Sequence, residues 1–263
     1  MANYLEKEDL VISDFLKSIG PWWNHVAISG GYAPIIYKLY FDKRKTGNPP
    51  VGTRDLDSLV PRRVPAASKK DIAQHLKDAG FKHVFRDSEQ PATEAYVKEI
   101  DGNEVEIEFL TDDSTRGDKE KNVTIAGVVA QPLSYLKLSL KRTMKFQTKA
   151  GDSGKVVSPG AWIFHKGLTF TRRKAESKKL KDLYGIWYVA TQLGKFSDSA
   201  IKEVAKIGKE HLSWLKTFRG NLQNFVTNAS PAAWAKLEAQ DPFGGLKCAA
   251  FEKLVASFWG GSH

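Results

Sequence analysis

The sequence predicts a mixed sheet with flanking helices (α/β or α+β) over residues 1–157, followed by an all-helical part over 158–263, on three observations. Short apolar runs with period two alternate with helical patterns through the first part. Ser158-Pro159-Gly160 then supplies a helix cap and a proline suited to the first helical position. Beyond it the apolar spacing stays helical, broken at Gly194, Ser197, Asn228-Ala229-Ser230-Pro231 and Pro242-Phe243-Gly244-Gly245.

Taken in order, residues 4–18 have the spacing of an amphipathic helix that ends near Gly20-Pro21. Trp22 to Ile28 leads into a first strand and a Ser29-Gly30-Gly31 turn, after which Pro34 fits only the first turn of a helix. Residues 42–52, with Lys43, Arg44, Lys45 and Pro49-Pro50, read as an exposed loop before a strand ended by Pro61. Residues 68–79 predict a helix closed by Gly80. Strands follow at 81–85, 95–100 and 104–110, with Asp101-Gly102 as a hairpin turn, and another at 123–129. Residues 133–146 suit either strand or helix. The C-terminal helices are expected at 159–173, 177–193, 197–210, 213–227, 230–239 and 245–258.

Composition is that of a globular chain, 41% hydrophobic and 27% charged. No apolar stretch approaches the roughly 20 residues that cross a bilayer. Glu6, Glu8 and Asp9 interrupt any secretory signal. The single Cys248 excludes an intramolecular disulfide and a thiolate metal cluster, so a cytoplasmic location is expected, with Cys248 as a small core residue. The tryptophans at 187, 214, 234 and 259 are expected in the core. A formal charge of +10 and a pI near 9.4 favour polyanionic partners. Basic residues cluster at Lys137, Lys141, Arg142 and Lys145, and again at Arg172-Arg173-Lys174, Lys178-Lys179 and Lys181.

The residues that carry chemistry lie between 28 and 110. In Thr53-Arg54-Asp55-Leu56-Asp57-Ser58-Leu59-Val60 the two aspartates share one face of a strand. Two such carboxylates repel unless a cation sits between them, and an all-oxygen site suits Mg²⁺. Asn103-Glu104-Val105-Glu106-Ile107-Glu108-Phe109 alternates acid and apolar, so Val105, Ile107 and Phe109 face a core and the glutamates the other side. The Gly-Gly turn lets backbone N–H groups approach phosphates closely.

A Gly-Gly turn, an Asp-x-Asp strand and a later acidic strand together resemble the nucleotidyltransferase superfamily, that is, the minimal DNA polymerase β-like fold. The resemblance implies a nucleotidyltransferase-type sheet and a Mg²⁺-dependent transfer of a nucleoside monophosphate from an NTP to an acceptor hydroxyl. Asp55, Asp57 and Glu108, with Glu106 as the alternative, would be catalytic and hold two Mg²⁺ ions, and Ser29, Gly30 and Gly31 would bind the triphosphate. The 24 positions from Gly31 to Asp55 exceed the spacing in compact members of the family. The stretch from Phe164 to Arg173, followed by Lys178 to Tyr184, is similar to nucleotidyltransferases related to abortive-infection toxins. By that likeness Lys166, Arg172 or Arg173, and Lys181 would face the nucleotide, with Asp182 orienting a cation. Seven positions separate Lys166 from Arg173, two turns along one helix face. Acceptors implied are RNA such as tRNA, or a small hydroxylated molecule, which the positive charge disfavours. An antitoxin partner is also implied. The rival expectation is a catalytically weak or inactive module of the same fold that binds nucleic acid or an antitoxin.

Overall fold

The computed structural model describes residues 2–44, 47–85, 94–113 and 122–259, without the side chains of residues 2 and 3. The chain forms two compact units, Met1–Tyr40 with Gly52–Val157 and Phe41–Val51 with Ser158–His263. In the first, α1 (Ala2–Ile19) precedes β1 (Ala27–Ile28), α2 (Tyr32–Ile36), β2 (Asp55–Leu59), α3 (Ile72–Asp78), β3 (Lys82–Phe85), β4 (Glu94–Ile100) and β5 (Asn103–Asp112). Then come β6 (Val123–Ile125), β7 (Val128–Leu133), α4 (Leu136–Lys141), β8 (Thr143–Gln147) and β9 (Ser153–Val157).

Among the described residues nine strands form one mixed sheet in the order β3-β4-β5-β2-β1-β9-β8, with β7 also paired to β5 and β6 to β7. β2 and β5 are parallel, as are β1 and β9, and β5 and β7, while the other pairs are antiparallel. β5 changes its edge partner midway. It pairs with β4 up to Glu108, opposite Ala95, and with β7 from Phe109, opposite Ala130.

One sheet face is apolar because each strand contributes alternate residues to it. Leu56, Val105, Ile107, Phe109 and Val156 are buried there. Val11, Ile12, Phe15, Leu16 and Ile19 make the buried stripe of α1. Lys98 of β4 ties this face to α1 through Asp14, at 2.8 Å. Asp71 and Gln74 form a capping box that opens α3.

Three strand expectations need correction. The run 123–129 is two strands, because Ala126 and Gly127 adopt positive φ (48° and 81°) and turn the chain between β6 and β7. Residues 133–146 hold a short helix and then a strand, α4 and β8. β9, whose Ser153-Gly154-Lys155 start carries little apolar signal, was not anticipated. Asp101 and Gly102 do turn the β4–β5 hairpin, with φ of 50° and 73°.

The second unit holds α5 (Pro159–Thr169), α6 (Glu176–Thr191), α7 (Lys195–Glu210), α8 (Leu212–Asn228), α9 (Pro231–Glu238) and α10 (Cys248–Ser257). α5 packs against α6, α7 and α8. Its Phe164 lies flat on Phe218 of α8, ring centroids 4.8 Å apart and planes within 1°. In the segment read as an exposed loop, Lys43, Arg44, Gly47 and Asn48 are exposed as expected, while its end is tied down. Tyr188 donates to the Asn48 carbonyl at 2.7 Å, the Val51 N–H donates to Tyr184 at 3.3 Å, and Pro49 and Pro50 are buried. Lys45 lies outside the described residues. Cys248 is half-buried at the start of α10, and Trp259 is 48% exposed beneath Arg219, so neither is a core residue. Trp214 and Trp234 are half-buried, and of the four only Trp187 is fully buried. Among the described residues no helix is long and apolar enough to cross a membrane.

Gly167 marks a close approach of α5 to α8, since a Cβ there would collide with the Phe218 ring. Alanine raises helix propensity by about 1 kcal/mol over glycine, whereas overpacking a core costs about 1–3 kcal/mol. Gly167→Ala is therefore expected to lower stability in urea denaturation. A stabilised variant would contradict the packing described for α5 and α8.

Candidate active site

The parallel pairing of β2 and β5 sets the site. Asp55 lies opposite Glu106 and Asp57 opposite Glu108, so four carboxylates occupy adjacent positions on the face away from α1. Leu56 and Ile107, the residues between them, are fully buried on the other face. Asp55 is exposed, while Asp57, Glu106 and Glu108 are half-buried. Glu106 and Glu108 both reach this face, so the structure gathers both alternatives for the third acid.

The turn after β1 lies against this row. The Ser29 N–H donates to the Asp57 carbonyl at 2.8 Å, and Ala33 N–H to Ser29 O at 3.2 Å. Gly30 has φ of 54°, and a Cβ there would collide with the Asp57 carboxylate. A Cβ on Gly31 would lie 2.6 Å from Thr53. Both glycines are thus required by close approach, Gly30 also by its left-handed backbone.

Two residues that the sequence reading passed over support the turn. Tyr32, 2% exposed, lies within electrostatic reach of the Glu8 carboxyl of α1. Burial pushes the Glu8 carboxyl above its ordinary value against the pull of Tyr32 and Tyr4, and burial with the nearby Glu8 charge pushes the Tyr32 hydroxyl upward. The signal was present, because Glu8 falls on the same face as Val11, Ile12, Phe15 and Ile19, where an acid is out of place. Beside Glu108 a small hollow of about 10 Å³, no more than one water needs, opens where β5 passes from β4 to β7, lined by Glu94, Phe109, Leu110, Asn122, Val129 and Gln131.

The residues anticipated in the second unit form a separate constellation. Lys166 Nζ donates to Asp182 Oδ1 at 2.6 Å, and Arg173 Nε to Asp182 Oδ2 at 2.9 Å. Lys166 also stands 5.6 Å from the Trp162 ring centre. The single helix expected over 159–173 is corrected: α5 stops at Thr169, a 3₁₀ turn follows, and Arg173 is extended (φ −65°, ψ 129°). Lys166 and Arg173 meet on Asp182 rather than along one helix face. Arg172 is exposed and Lys181 half-buried.

A family model described as Nucleotidyltransferase matches residues 11–206. The chain belongs to the nucleotidyltransferase family. No curated protein matches it. Among solved structures it is similar to an antigenic nucleotidyltransferase-like protein from Paracoccidioides brasiliensis, 18% identical, covering 81% of this chain and 93% of that one at a TM-score of 0.43. A candidate nucleotidyltransferase from H. pylori is 12% identical, covering 97% and 92% at a TM-score of 0.41. JHP933 from Helicobacter pylori is 11% identical, covering 97% and 89% at a TM-score of 0.34.

Nucleotidyltransferases generally use an NTP and a divalent metal. The donor set here is all carboxylate oxygen, which fits a hard divalent cation. Among the described residues no three acidic, imidazole or thiol side chains close on one ion-sized point. The charge of a divalent cation would offset the mutual repulsion of carboxylates placed side by side in this way.

Two outcomes follow. Gly30→Ala should cost about 1–3 kcal/mol of stability through positive φ and the clash with Asp57. It should also weaken any Mg²⁺–NTP binding at least tenfold by calorimetry, and unchanged affinity would detach the turn from the site. Asp182 is pushed up by burial, but Lys166 and Arg173 more than offset this and hold it below its ordinary value. A carboxyl so depressed stabilises the fold fully above its unfolded pKa of about 4, and this is lost as pH falls through the lower folded value. Asp182→Asn, which leaves Lys166 buried without its counter-charge, should cost about 3–5 kcal/mol at pH 7 and flatten the acid limb of the urea-stability profile. A profile identical to wild type would show that the triad contributes nothing.

Proposed function

We propose that the protein is a Mg²⁺-dependent nucleotidyltransferase that moves a nucleoside monophosphate from an NTP to an acceptor hydroxyl, with RNA as the acceptor class. The observation that carries this reading is the register of β2 on β5, which puts Asp55, Asp57, Glu106 and Glu108 on one face beside the Gly30-Gly31 turn. The formal charge of +10 supports a polyanionic acceptor.

In this reading Asp55, Asp57 and Glu108 (or Glu106) would hold two Mg²⁺ ions, which supply Lewis acidity toward the acceptor hydroxyl and countercharge for departing pyrophosphate. The backbone of Ser29, Gly30 and Gly31 receives the triphosphate and fixes its α-phosphorus near the carboxylate row. The acceptor oxygen bonds to that phosphorus as the bond to pyrophosphate breaks, and a carboxylate of the row takes the hydroxyl proton. Lys166 and Arg173 are assigned to holding Asp182 and the α5–α6 junction, since that carboxylate engages both charges.

The open spacing of the four acids favours a second reading, a module of this fold that binds nucleic acid without transfer. Titration of each NTP into the protein, with and without Mg²⁺, separates the two. The transferase reading expects Mg²⁺-dependent binding that falls at least a hundredfold in Asp55→Asn/Asp57→Asn while the variant stays folded by circular dichroism. Binding that ignores both Mg²⁺ and the substitutions would sink it.

A further inference from the structure

We propose that Lys145 of β8 and Lys155 of β9 form a landing for the phosphodiester backbone of the acceptor, on the same sheet face as Asp55, Asp57, Glu106 and Glu108. The two lysines are direct partners in an antiparallel ladder, Lys145 opposite Lys155. Like charges placed so destabilise a sheet, and the arrangement calls for a compensating anion. Among the described residues no carboxylate pairs with Lys145, and Lys155 Nζ donates to the Asn24 carbonyl at 2.6 Å. Burial and the neighbouring Lys145 charge hold the Lys155 ammonium below its ordinary value.

The register fixes which face they share. Val156 pairs with Ile28, and Ile28 with Ser58, so these three lie on the α1 side. Phe146, which stacks on Tyr40 with centroids 5.0 Å apart, is on that side as well. Lys145 and Lys155, each one residue away, therefore fall on the opposite face, with Asp55 and Asp57. β9 is two strands from β2 and β8 three, about 10 and 14 Å at the usual strand spacing. One nucleic-acid strand can touch lysines and carboxylates together. Lys137 and Lys141, exposed one turn apart on α4, extend the positive charge toward the start of β8.

A simpler account exists for one of the pair. Lysine on an edge strand guards against edge-to-edge aggregation, and β8 ends the strand order. That account covers Lys145 but not Lys155, which lies on β9 between β8 and β1.

The inference rests on the transferase reading for what the carboxylates do, but not for the binding itself. The test is fluorescence anisotropy of a labelled 20-nucleotide single-stranded RNA over a salt series, with the full chain as wild type, Lys145→Glu and Lys145→Gln/Lys155→Gln. Each variant should bind about tenfold more weakly, and the log–log salt slope should fall by about 0.7 per lost phosphate contact. Lys145→Glu should also melt about a degree or two higher, because opposite charges then face each other across the ladder. Unchanged RNA affinity in both variants, or a wild type that binds no RNA at low salt, would overturn the landing. A parallel Mg²⁺–NTP titration should be unaltered in Lys145→Glu. RNA binding that depends on the lysines in a wild type with no NTP affinity would uphold the landing and remove the transferase reading.

Discussion

The site depends on a single strand pairing. β2 and β5 run parallel with Asp55 against Glu106 and Asp57 against Glu108. Leu56, Ile107 and Phe109, fully or almost fully buried beneath, hold that register, because a one-residue slip would send acids into the core. Carboxylates about 5 Å apart repel by ~1 kcal/mol per pair at the dielectric of water and ~3 kcal/mol at an effective value of 20. Apolar or neutral residues at these positions would relieve that cost. A row of four acids is stable in proportion to the positive charge that meets it, and this ties the sheet's register to the chemistry assigned to it.

The turn after β1 obeys the same constraint from the other side. Gly30 gives up its side-chain volume to the Asp57 carboxylate, and the Ser29 N–H is anchored on the Asp57 carbonyl. Glu8 and Tyr32 brace the turn from α1, so the helix that opens the chain contributes to the geometry of a site formed much later in sequence. In the helical unit, Asp182 plays a comparable organising part. One carboxylate gathers Lys166 and Arg173 from either end of a helix break and leaves neither charge buried alone.

Much of this was written in short-range pattern. The alternation of Glu104, Glu106 and Glu108 with Val105, Ile107 and Phe109 is a period that only a half-buried strand satisfies, and the Gly-Gly and Asp-x-Asp elements lie on the elements expected of them. What was hidden depends on contacts between distant residues. Nothing local says that β5 will pair in parallel with β2, or that its edge partner changes at Glu108. β9 escaped notice because Gly154 gives way to Phe146 and Leu16, leaving a strand with little apolar signal of its own. The segment before Gly52 reads as polar and proline-rich, yet Tyr184 and Tyr188, more than 130 positions on, hold its backbone. Lys166 and Arg173 fit a helical spacing that the chain abandons at Thr169, and Asp182 restores their meeting by another route.

The proposed function requires the carboxylate row to hold divalent cations. Electron paramagnetic resonance of Mn²⁺ titrated into the protein, with Mg²⁺ as competitor, tests it without reference to any nucleotide or acceptor. The account predicts bound Mn²⁺ that Mg²⁺ displaces, and a loss of that signal in Asp57→Asn and in Glu106→Gln/Glu108→Gln. Mn²⁺ that stays free in the presence of the wild type, or binding undiminished in both variants, would contradict it.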